Sequence, residues 1–448
     1  MSAFPLGLQQ PVEHGGALPK EADVAIVGGG IIGVMTAFFL AKKGLRPVVL
    51  EKGRVAAEQS SRNWGWIRQQ GRDVAELPIM MEANRLWKEL AAEVGEDLGL
   101  ETVGISYLAE TERELAEYEN WLAQVKSSGV DSRMLSATQA AETLPGATQR
   151  FAGALYTPSD LKAEPWIAVP ALARAAVRAG AVIVENCAVR GLDLEAGRVA
   201  GVTTERGRIK AAEVVVAGGA WSSLFLRRHG VKIPQLSVQA LVMATEPAAA
   251  LDVPATAVTG LAWRRRADGG FTIAPGGWHR LFVGPDAFRA LPKFVPQLKE
   301  DWAGTFYRPA APWGYPDAWS TKRQWNMGDE SPFERMRVLN PKTHMPPLTK
   351  ALARFSALFP QLGDLKMKQA WSGMIDTMPD IVPVVDRAES VPGLSICTGM
   401  CGHGFGIGPA FGRVMADLVT GKDVGHDLHR FRLSRFSDGS KMKLGPII

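Results

Sequence analysis

A glycine-rich turn near the start of the chain carries the clearest chemical signal. Residues 28–33 read GGGIIG, a G-x-G-x-x-G motif between the β-branched run DVAIV and an apolar helical run. Glu51 ends the next strand-like run, 18 positions beyond the last glycine of the motif. In this context Gly28 permits a tight turn, Gly30 lets the backbone approach a pyrophosphate, and Gly33 allows close helix–strand packing. The motif, with Glu51 as an acceptor for ribose hydroxyls, predicts a dinucleotide site on a βαβ unit.

A second glycine-rich segment lies near the other end of the chain. Residues 399–412 read GMCGHGFGIGPAFG and stand between a strand-like run and a helical run. The N terminus of a helix stabilises negative charge through its unpaired N–H groups and its dipole. A plain nicotinamide cofactor seldom needs two such loops, whereas a flavin dinucleotide uses one for its pyrophosphate and one for its ring carbonyl. His403 is predicted either to lie beside the flavin or to orient its own loop.

These segments, together with VVVAGGAWS at 214–222, resemble the FAD-dependent amine oxidase family that includes D-amino acid oxidase, glycine oxidase and sarcosine oxidase. The resemblance runs from about residue 18 to 425, and the phrases AAEQSSR and SPFERMRV are most similar to the bacterial L-amino acid deaminase branch, here without its membrane helix. It implies oxidation of the C–N bond of an amino acid or amine by hydride transfer to the flavin. The resulting imine hydrolyses to a carbonyl product and ammonia or amine.

The resemblance also implies which residues bind FAD, which is expected to be non-covalent because the covalent cysteine of sarcosine oxidases has no counterpart near QAWSGMID. The loop through residues 60–63 is expected to run under the flavin, and Gly65 to let the backbone pass close to it. The implied cofactor contacts are Gly28, Gly30, Ile31, Ile32, Gly33, Glu51, Lys52, Ser60, Ser61, Arg62, Asn63, Gly65, Trp66, Val189, Ala217, Gly218, Trp221, Gly373, Gly402, His403, Gly404, Phe405, Gly406 and Ile407.

The substrate end departs from the family pattern. Where the deaminase branch has a carboxylate-binding arginine after the dipeptide Ala-Pro, this chain has Gly276, and no lysine or arginine stands between His403 and Arg413. The oxygen-activating lysine of sarcosine oxidases is also missing from the strand GFTIAPG. We therefore expect any carboxylate clamp to lie elsewhere; the candidate cations are Arg68, Arg72, Arg264, Arg265, Arg266 and Arg280.

The stretch SSRNWGWIRQQGRD at 60–73 suggests an alternative without a carboxylate. Trp64 and Trp66, with Trp278 and Trp371, could form an aromatic cage for a cationic amine through cation–π contacts. Ordinary packing explains each single tryptophan equally well. The predicted substrate pocket consists of Trp66, Arg68, Gln69, Trp278, Trp371 and His403, with no essential acid–base residue and no metal.

Composition limits the remaining functions. Of 448 residues, 46% are hydrophobic and 22% charged, which is typical of a globular protein with a sizeable core. The net charge is +5 without a long Lys/Arg run, so nucleic acid is not expected as a partner. With three cysteines, no signal-peptide pattern and no apolar run of 18 residues, we expect a cytoplasmic protein without a membrane span. The expected partner is a small amino acid or amine, and homo-oligomerisation is left open.

The alternation of strand-like and helical runs predicts an α/β fold. A discontinuous Rossmann-like FAD-binding domain is expected beside an α+β substrate domain with a mainly antiparallel sheet, and the ligand is expected at their interface. A Trp/Pro-rich insertion or lid is expected at about 292–342. The predicted FAD-binding segments are 18–100, 155–235 and 365–430, and the predicted substrate-domain segments are 101–154 and 236–364.

Four other functions stay open. A dehydrogenase that passes electrons to an acceptor other than oxygen is compatible with the missing lysine, as is a flavoprotein without catalysis of its own. A polyamine or secondary-amine oxidase would suit an aromatic cage. A tRNA-modifying flavoenzyme is disfavoured because the positive charges are spread along the chain.

Overall fold

The computed structural model describes residues 4–300 and 304–446. The helices are α1 Ile31–Lys42, α2 Gln59–Arg62, α3 Leu77–Val94, α4 Glu112–Val125, α5 Ala137–Glu142, α6 Pro165–Arg178, α7 Ser222–Arg228, α8 Pro285–Glu300, α9 Pro332–Arg335, α10 Met345–Leu358 and α11 Gly404–Val419. The strands are β1 Val24–Val27, β2 Pro47–Leu50, β3 Trp66–Ile67, β4 Glu101–Thr102, β5 Ile105–Ala109, β6 Arg133–Ser136, β7 Gly153–Thr157, β8 Leu161–Lys162, β9 Val182–Val184, β10 Val189–Glu195, β11 Arg198–Thr204, β12 Gly207–Lys210, β13 Glu213–Val216, β14 Leu236–Thr245, β15 Ala255–Val258, β16 Leu261–Arg265, β17 Phe271–Ala274, β18 His279–Phe282, β19 Thr305–Arg308, β20 Met367–Thr377, β21 Val384–Arg387 and β22 Leu394–Thr398.

The first sheet has the strand order β21-β22-β13-β1-β2-β9. All its pairings are parallel except β21–β22. Its central strands are short runs of valine, isoleucine and leucine because both faces are covered. Val24 and Ile26 pack among the helices, whereas Ala25 packs towards the three-stranded β10-β11-β12 meander on the other face.

Helices α1 and α11 lie side by side and touch through glycine. A Cβ atom built on Gly408 would come 2.8 Å from Ile31, and one on Gly412 would come 2.4 Å from Met35. Both contacts advance by four residues in the same direction, so the two helices run parallel and begin at the same end of the sheet. Small residues at this interface let the two backbones approach closely.

The second sheet has ten strands in the order β19-β18-β14-β17-β16-β15-β5-β7-β6, with β20 paired to β14. Most pairs are antiparallel, but β5–β15 and β18–β19 are parallel. The sheet is therefore mainly antiparallel, as expected, but mixed rather than purely antiparallel, because β5 and β15 come from distant parts of the chain and α8 lies between β18 and β19 in the sequence. Helix α10 packs on one side of this sheet in an apolar cluster with Trp263 and Phe271.

Several local predictions agree with the structure, with shifts at element ends. The amphipathic patterns at 76–96 and 110–128 predict two helices, which correspond to α3 and α4, and the turn signals EAGR and ERGR predict a meander of hairpins, which corresponds to β10–β12. The pattern AFGRVMADLVTG predicts a helix from Ala410, but α11 begins six residues earlier at Gly404, because packing on α1 overrides the low helix propensity of its glycines.

The Trp/Pro-rich segment at 292–342 is more ordered than a loop. It contains the end of α8, strand β19 and helix α9. Phe333 packs against Trp221, and Lys52 donates hydrogen bonds to the carbonyls of Met336 and Arg337. The segment thus covers the meander side of the first sheet; its role as a lid and the domain boundaries stay predictions.

No helix within 4–300 and 304–446 is both long and apolar enough to cross a membrane. In the same ranges, no three His, Cys, Asp or Glu side chains gather as a metal-binding group.

Candidate active site

A cavity of about 730 Å³ lies where the two sheets meet. It extends from the turn before α1 to the loop before α11 and continues along β14 and β15 towards the β17–β18 turn. The predicted residues that line it are Gly28, Gly30, Ile31, Ile32, Glu51, Lys52, Ser60, Arg62, Asn63, Trp66, Arg68, Val189, Ala217, Gly218, Trp221, Trp278, Gly373, Gly402, His403, Gly404, Phe405 and Gly406.

The turn before α1 brings the backbone of its glycines to the border of the cavity, beside Ile31 and Ile32. Gly28 has a φ of 112°, and a Cβ on it would lie 2.5 Å from the carbonyl oxygen of Ala217. A Cβ on Gly33 would lie 2.0 Å from the carbonyl oxygen of Gly28. The N–H of Ile31 faces the Ser60 hydroxyl at 3.0 Å. This is a cradle that a pyrophosphate fits and a larger side chain would fill.

Glu51 stands at the end of β2, facing the same cradle. Its carboxylate accepts hydrogen bonds from the N–H groups of Gly29 at 2.8 Å and Gly53 at 2.7 Å. Burial raises the pKa of the Glu51 carboxyl, opposed by the charge of Lys52. A buried acceptor beside a glycine turn fits the ribose of a dinucleotide.

The opposite wall of the cavity is formed by the N terminus of α11. Gly402 to Gly406 line this wall, and a Cβ on Gly406 would come 3.1 Å from the Cα of Ile67. The indole of Trp87 donates to the Gly406 carbonyl at 2.8 Å, which holds this first turn in place. Two helix N termini facing one elongated cavity fit the two electron-rich parts of FAD, its pyrophosphate and its ring carbonyls.

Six predicted residues do not border the cavity: Gly33, Ser61, Gly65, Gln69, Trp371 and Ile407. The prediction that Trp371 faces the substrate does not fit its position, because its ring packs edge-on against Phe4 and Trp166. Its indole N–H donates to the carbonyl oxygen of Arg62 at 3.1 Å. Trp371 therefore belongs to the core behind the cofactor loop.

The other five residues are held away from the cavity by contacts with other parts of the chain. A Cβ on Gly65 would lie 2.4 Å from the Ala163 carbonyl, so this glycine is needed for strand packing rather than for passage near a flavin. Gln69 donates from its backbone N–H and its side-chain amide to the Asp160 carboxylate. The Ser61 hydroxyl accepts from the N–H of Leu6 at 3.3 Å. Ile407 is buried in α11, and Gly33 supports the turn from behind.

A polar pocket closes the cavity beside α11. Arg68 lies with its guanidinium 5.2 Å from the centre of the Tyr107 ring, and donates to the Nε2 atom of His403 at 3.4 Å. Arg72 lies behind it, donating from Nε to the Arg68 carbonyl at 2.9 Å. Trp66 borders the same space and contacts Tyr107. Two guanidinium groups and aromatic rings thus meet at one end of the cavity.

The other candidate cations are engaged elsewhere. Arg264 forms a buried bidentate pair with Glu164 at 2.8 Å, and Arg266 is paired with Asp268 at 2.8 Å. The guanidinium of Arg265 donates to backbone carbonyls near residue 249. Arg280 lies over the Trp278 ring and, like these three, does not line the cavity. Of the six candidates, Arg68 and Arg72 are those the fold brings to the cavity.

The predicted aromatic cage is not formed. Trp64 and Trp66 touch each other, with ring centres 5.1 Å apart, and both line the cavity. Trp278 instead stacks on His344 near the β17–β18 turn, and Trp371 lies in the core. The four rings therefore cannot surround one cation, because they sit on three separate surfaces.

Three ionisable residues were missed by sequence reasoning: Tyr107, which lines the cavity, and Glu76 and Asp160, which lie near Arg68 and Arg72 without lining it. Burial raises the pKa of the Glu76 and Asp160 carboxyls to about 7, against the opposing charges of Arg68 and Arg72. Tyr107 comes from a strand whose residues are all buried, so alternation gave no sign of it. Glu76 precedes a helix like any capping residue. Only the fold shows that these three residues lie close together.

Polar atoms without partners gather around this pocket. Buried side-chain atoms that lack a hydrogen bond within 4–300 and 304–446 include Trp66 Nε1, Gln70 Nε2, Arg72 Nη1, Glu76 Oε2, Asp160 Oδ2 and His403 Nδ1. Buried polar atoms are normally paired, and exceptions call for an explanation such as a catalytic role. Their concentration marks this end of the cavity as a candidate ligand site.

Comparisons with known proteins agree with this geometry. The family model "FAD dependent oxidoreductase" matches residues 23–418. The chain is 27% identical to glycine oxidase of Geobacillus kaustophilus, over 92% of this chain and 97% of that protein. Its match to mitochondrial sarcosine dehydrogenase of Mus musculus is 32% identical over 55% of this chain, and the chain spans only about a quarter of that protein, 27%.

The solved structures give the same result over the whole fold. The structure of L-amino acid deaminase from Proteus myxofaciens in complex with anthranilate superposes with a TM-score of 0.90 at 29% identity, covering 96% of this chain and 98% of that one. The family match, the glycine cradle and the two helix N termini lead to one conclusion. This chain belongs to the family of FAD-dependent oxidoreductases, and FAD is its cofactor.

Proposed function

We propose that this enzyme oxidises the C–N bond of an amino acid whose carboxylate is bound by Arg68. The observation that carries the proposal is that one cavity joins the glycine cradle of α1 to the pocket containing Arg68 and Arg72. The chemistry that bound FAD supplies is two-electron oxidation of a C–N single bond to an imine, which then hydrolyses to a carbonyl product and ammonia or an amine.

The charges of the pocket favour an anionic group. Arg72 is almost fully buried, and burial lowers the pKa of its guanidinium to about 10. Its nearest counter-ion is Glu76 at 3.8 Å, beyond hydrogen-bond distance. A carboxylate bound at Arg68 would offset this excess of buried positive charge, and guanidinium–carboxylate pairs are among the strongest hydrogen-bonded pairs.

The apolar walls position the rest of the substrate. Trp64, Trp66 and Tyr107 form a continuous aromatic surface beside Arg68. Such a wall excludes water and fixes the orientation of a bound amino acid next to the N terminus of α11, and orientation accounts for a large part of the catalysis. The relatives named as acting on glycine, sarcosine and L-amino acids support an amino acid or N-methyl amino acid as the substrate class.

The test is anaerobic reduction of the purified, FAD-loaded protein. A panel of L-amino acids, D-amino acids and N-methyl amino acids is compared with the matching decarboxylated amines, and flavin bleaching is followed by absorbance. We expect at least one amino acid to bleach the flavin and its decarboxylated amine to react far more slowly. If no member of the panel bleaches the flavin, the proposal is wrong; if amines react equally well, the role of Arg68 is wrong.

A second candidate is a dehydrogenase that passes electrons to an acceptor other than oxygen. Sarcosine oxidases use a lysine to activate oxygen, so the position of lysine in this cavity bears on the electron acceptor. Lys52 is the single lysine among the described residues that line the cavity. Its Nζ atom is held by Glu58 at 2.6 Å and lies over Trp221, away from the pocket of Arg68. Reoxidation of the reduced flavin by air, compared with reoxidation by an artificial acceptor dye, separates the two activities.

A further inference from the structure

His403 stands between a cation of the pocket and a buried carboxyl group. Its Nε2 atom receives an N–H from Arg68 at 3.4 Å. Because a guanidinium can only donate, Nε2 must be the unprotonated nitrogen of the ring. The ring hydrogen is therefore on Nδ1, which lies 3.6 Å from Oε2 of Glu76.

The pair formed by His403 Nδ1 and Glu76 Oε2 is incomplete. Both atoms are buried, and neither has a hydrogen-bond partner in the part of the chain that is described. An N–H···O hydrogen bond spans about 2.7–3.2 Å, so a small movement of the histidine ring would close the pair. The charged or ionisable groups that face this pair from the surrounding elements are Arg68, Arg72, Asp380, Cys401 and Arg430.

We propose that His403 and Glu76 together take up the proton of the substrate ammonium group when the substrate carboxylate engages Arg68. This inference rests on the proposed oxidation of an amino acid. In the free enzyme Arg68 occupies the lone pair of His403 Nε2. A bound carboxylate draws the guanidinium towards itself and releases that lone pair to the substrate ammonium group.

The proton balance is complete within the protein. The substrate N–H proton moves to Nε2 of His403, and the Nδ1 proton moves to Oε2 of Glu76. The substrate becomes a neutral amine, His403 becomes the other neutral tautomer, and Glu76 becomes a neutral acid. A neutral amine is needed because its lone pair forms the C=N bond when the hydride leaves the adjacent carbon.

The electrostatics of the two residues suit these separate roles. Burial and the charges of Arg72 and Arg68 hold the pKa of His403 well below its usual range, so the ring transfers a proton without keeping a positive charge. Burial raises the pKa of the Glu76 carboxyl to about 7, so it can take up and release a proton near neutral pH. The charges of Arg68 and Arg72 also lower the pKa of an ammonium group bound beside them.

The test uses the variant Glu76→Gln, which keeps an acceptor for His403 Nδ1–H but cannot take up the proton. Anaerobic flavin reduction by the best amino acid is followed by stopped-flow absorbance from about pH 6 to about pH 10, where the substrate ammonium group loses its proton. Reduction by the variant should be at least roughly tenfold slower than wild type near neutral pH and within about twofold at the highest pH. An equal loss at every pH, or no loss, overturns the proposal.

The matched control is Glu82→Gln. Glu82 lies in α3, the helix that Glu76 precedes, and is paired with His426 at 2.5 Å; His426, unlike His403, does not line the cavity. This variant should keep the wild-type pH profile. If Glu76→Gln does not fold, His403→Asn, which removes the relay nitrogen, should show the same loss confined to low pH; a pH-independent loss there counts against the proposal.

A substrate-free measurement separates this inference from the proposed function. In wild-type holoenzyme with ¹⁵N-labelled histidine, the His403 signals, assigned by comparison with His403→Asn, should show a neutral ring with the hydrogen on Nδ1. They should shift with a midpoint near the Glu76 pKa of about 7 and lose that shift in Glu76→Gln. A His403 ring without this titration overturns the inference, whereas failure of every amino acid to bleach the flavin overturns the proposed substrate.

Discussion

The two ends of the cavity are built from different parts of the polypeptide. At the end near α1, the surface includes the backbone of a glycine turn and the Glu51 carboxylate that accepts from it, all within one βαβ unit. At the end near Arg68, the surface is side chains contributed by segments that are distant in sequence, and several of their polar atoms have no hydrogen-bond partner among the described residues. Backbone surfaces recognise what every FAD has in common, whereas side chains can be exchanged singly to recognise one substrate.

The difference also concerns charge. The cradle of α1 offers dipoles that need no counter-ion. The pocket contains Arg68 and Arg72 beside carboxyl groups whose pKa is raised to about 7 by burial. The cofactor end should therefore tolerate little change of volume, and the substrate end should respond most to changes of charge and pH.

The largest effect is expected at the cofactor end, from Gly33→Ala. Its new Cβ would lie 2.0 Å from the Gly28 carbonyl oxygen, so helix α1 and the turn must separate. We expect loss of bound FAD and a decrease of about 1–3 kcal/mol in the free energy of unfolding. The flavin-to-protein absorbance ratio and urea unfolding measure both.

Gly44→Ala is the matched control at the other end of α1, because a Cβ there meets nothing within 4 Å. This variant should bind FAD normally in spite of the positive φ of 81°. Full FAD content in Gly33→Ala would show that the cradle is less rigid than the comparison between the two ends requires.

The next effect is expected at the substrate end, from Arg68→Met. Removing one partner of a charge-assisted pair costs about 2–4 kcal/mol, which corresponds to roughly 30- to 1000-fold in kcat/KM for an amino acid. FAD content should not change. Arg280→Met, outside the cavity lining, should alter kcat/KM by less than about threefold. Equal effects of the two variants would remove the distinction between Arg68 and an ordinary surface arginine.

A third effect, on stability rather than on cofactor binding or catalysis, links the substrate end to pH. The pKa of Glu76 is raised from 4.5 to about 7, so the folded state binds a proton that the unfolded state releases. Stability from this group is present below about pH 4.5 and is lost as the pH rises through about 7. Relative to wild type, Glu76→Gln should therefore gain about 3 kcal/mol of unfolding free energy between about pH 4.5 and about pH 8.

Urea unfolding of both proteins at the two pH values, with saturating FAD, checks this difference. Asp160→Asn should change in the same direction, because burial also raises the pKa of Asp160 to about 7. A constant difference between Glu76→Gln and wild type across this range would show that Glu76 is ionised throughout.

The smallest effects separate two tryptophans that the sequence presents alike. Trp66→Ala should keep FAD and lower kcat/KM about tenfold, because it removes an aromatic wall of the pocket. Trp371→Phe should leave kcat/KM unchanged and cost about 1 kcal/mol of stability, because it removes the hydrogen bond to the Arg62 carbonyl. Full activity in Trp66→Ala, or a raised KM in Trp371→Phe, would reverse these assignments.

The same contrast explains what could be predicted from the sequence. The cradle was predictable because Gly28, Gly33 and Glu51 act within one βαβ unit, where spacing fixes geometry. The start of α11 was misplaced because its glycines favour a loop until they pack on α1. The pairing of β5 with β15 was not predictable because it joins segments that local patterns treat separately.

At the substrate end, the residue types indicated candidates, but their positions in the sequence did not show which of them meet in the folded protein. Arg68 was one of six candidate cations, and only the fold showed that Arg264 and Arg266 already have buried partners. His403 and Glu76 are separated by more than three hundred positions in the chain, so no local pattern could bring them together. Trp371 was misassigned because a buried indole and a ligand-facing indole look identical in a sequence.

The glycine contact between α1 and α11 fixes the distance between the N termini of these two helices. Because Gly408 rests on Ile31 and Gly412 rests on Met35, the two helix N termini belong to one rigid piece with a fixed separation. This separation, to which an elongated cofactor must fit, is therefore set by the α1–α11 contact and does not depend on the second sheet. The strands and loops around Arg68 can therefore change without altering the distance between the two helix N termini that border the cavity.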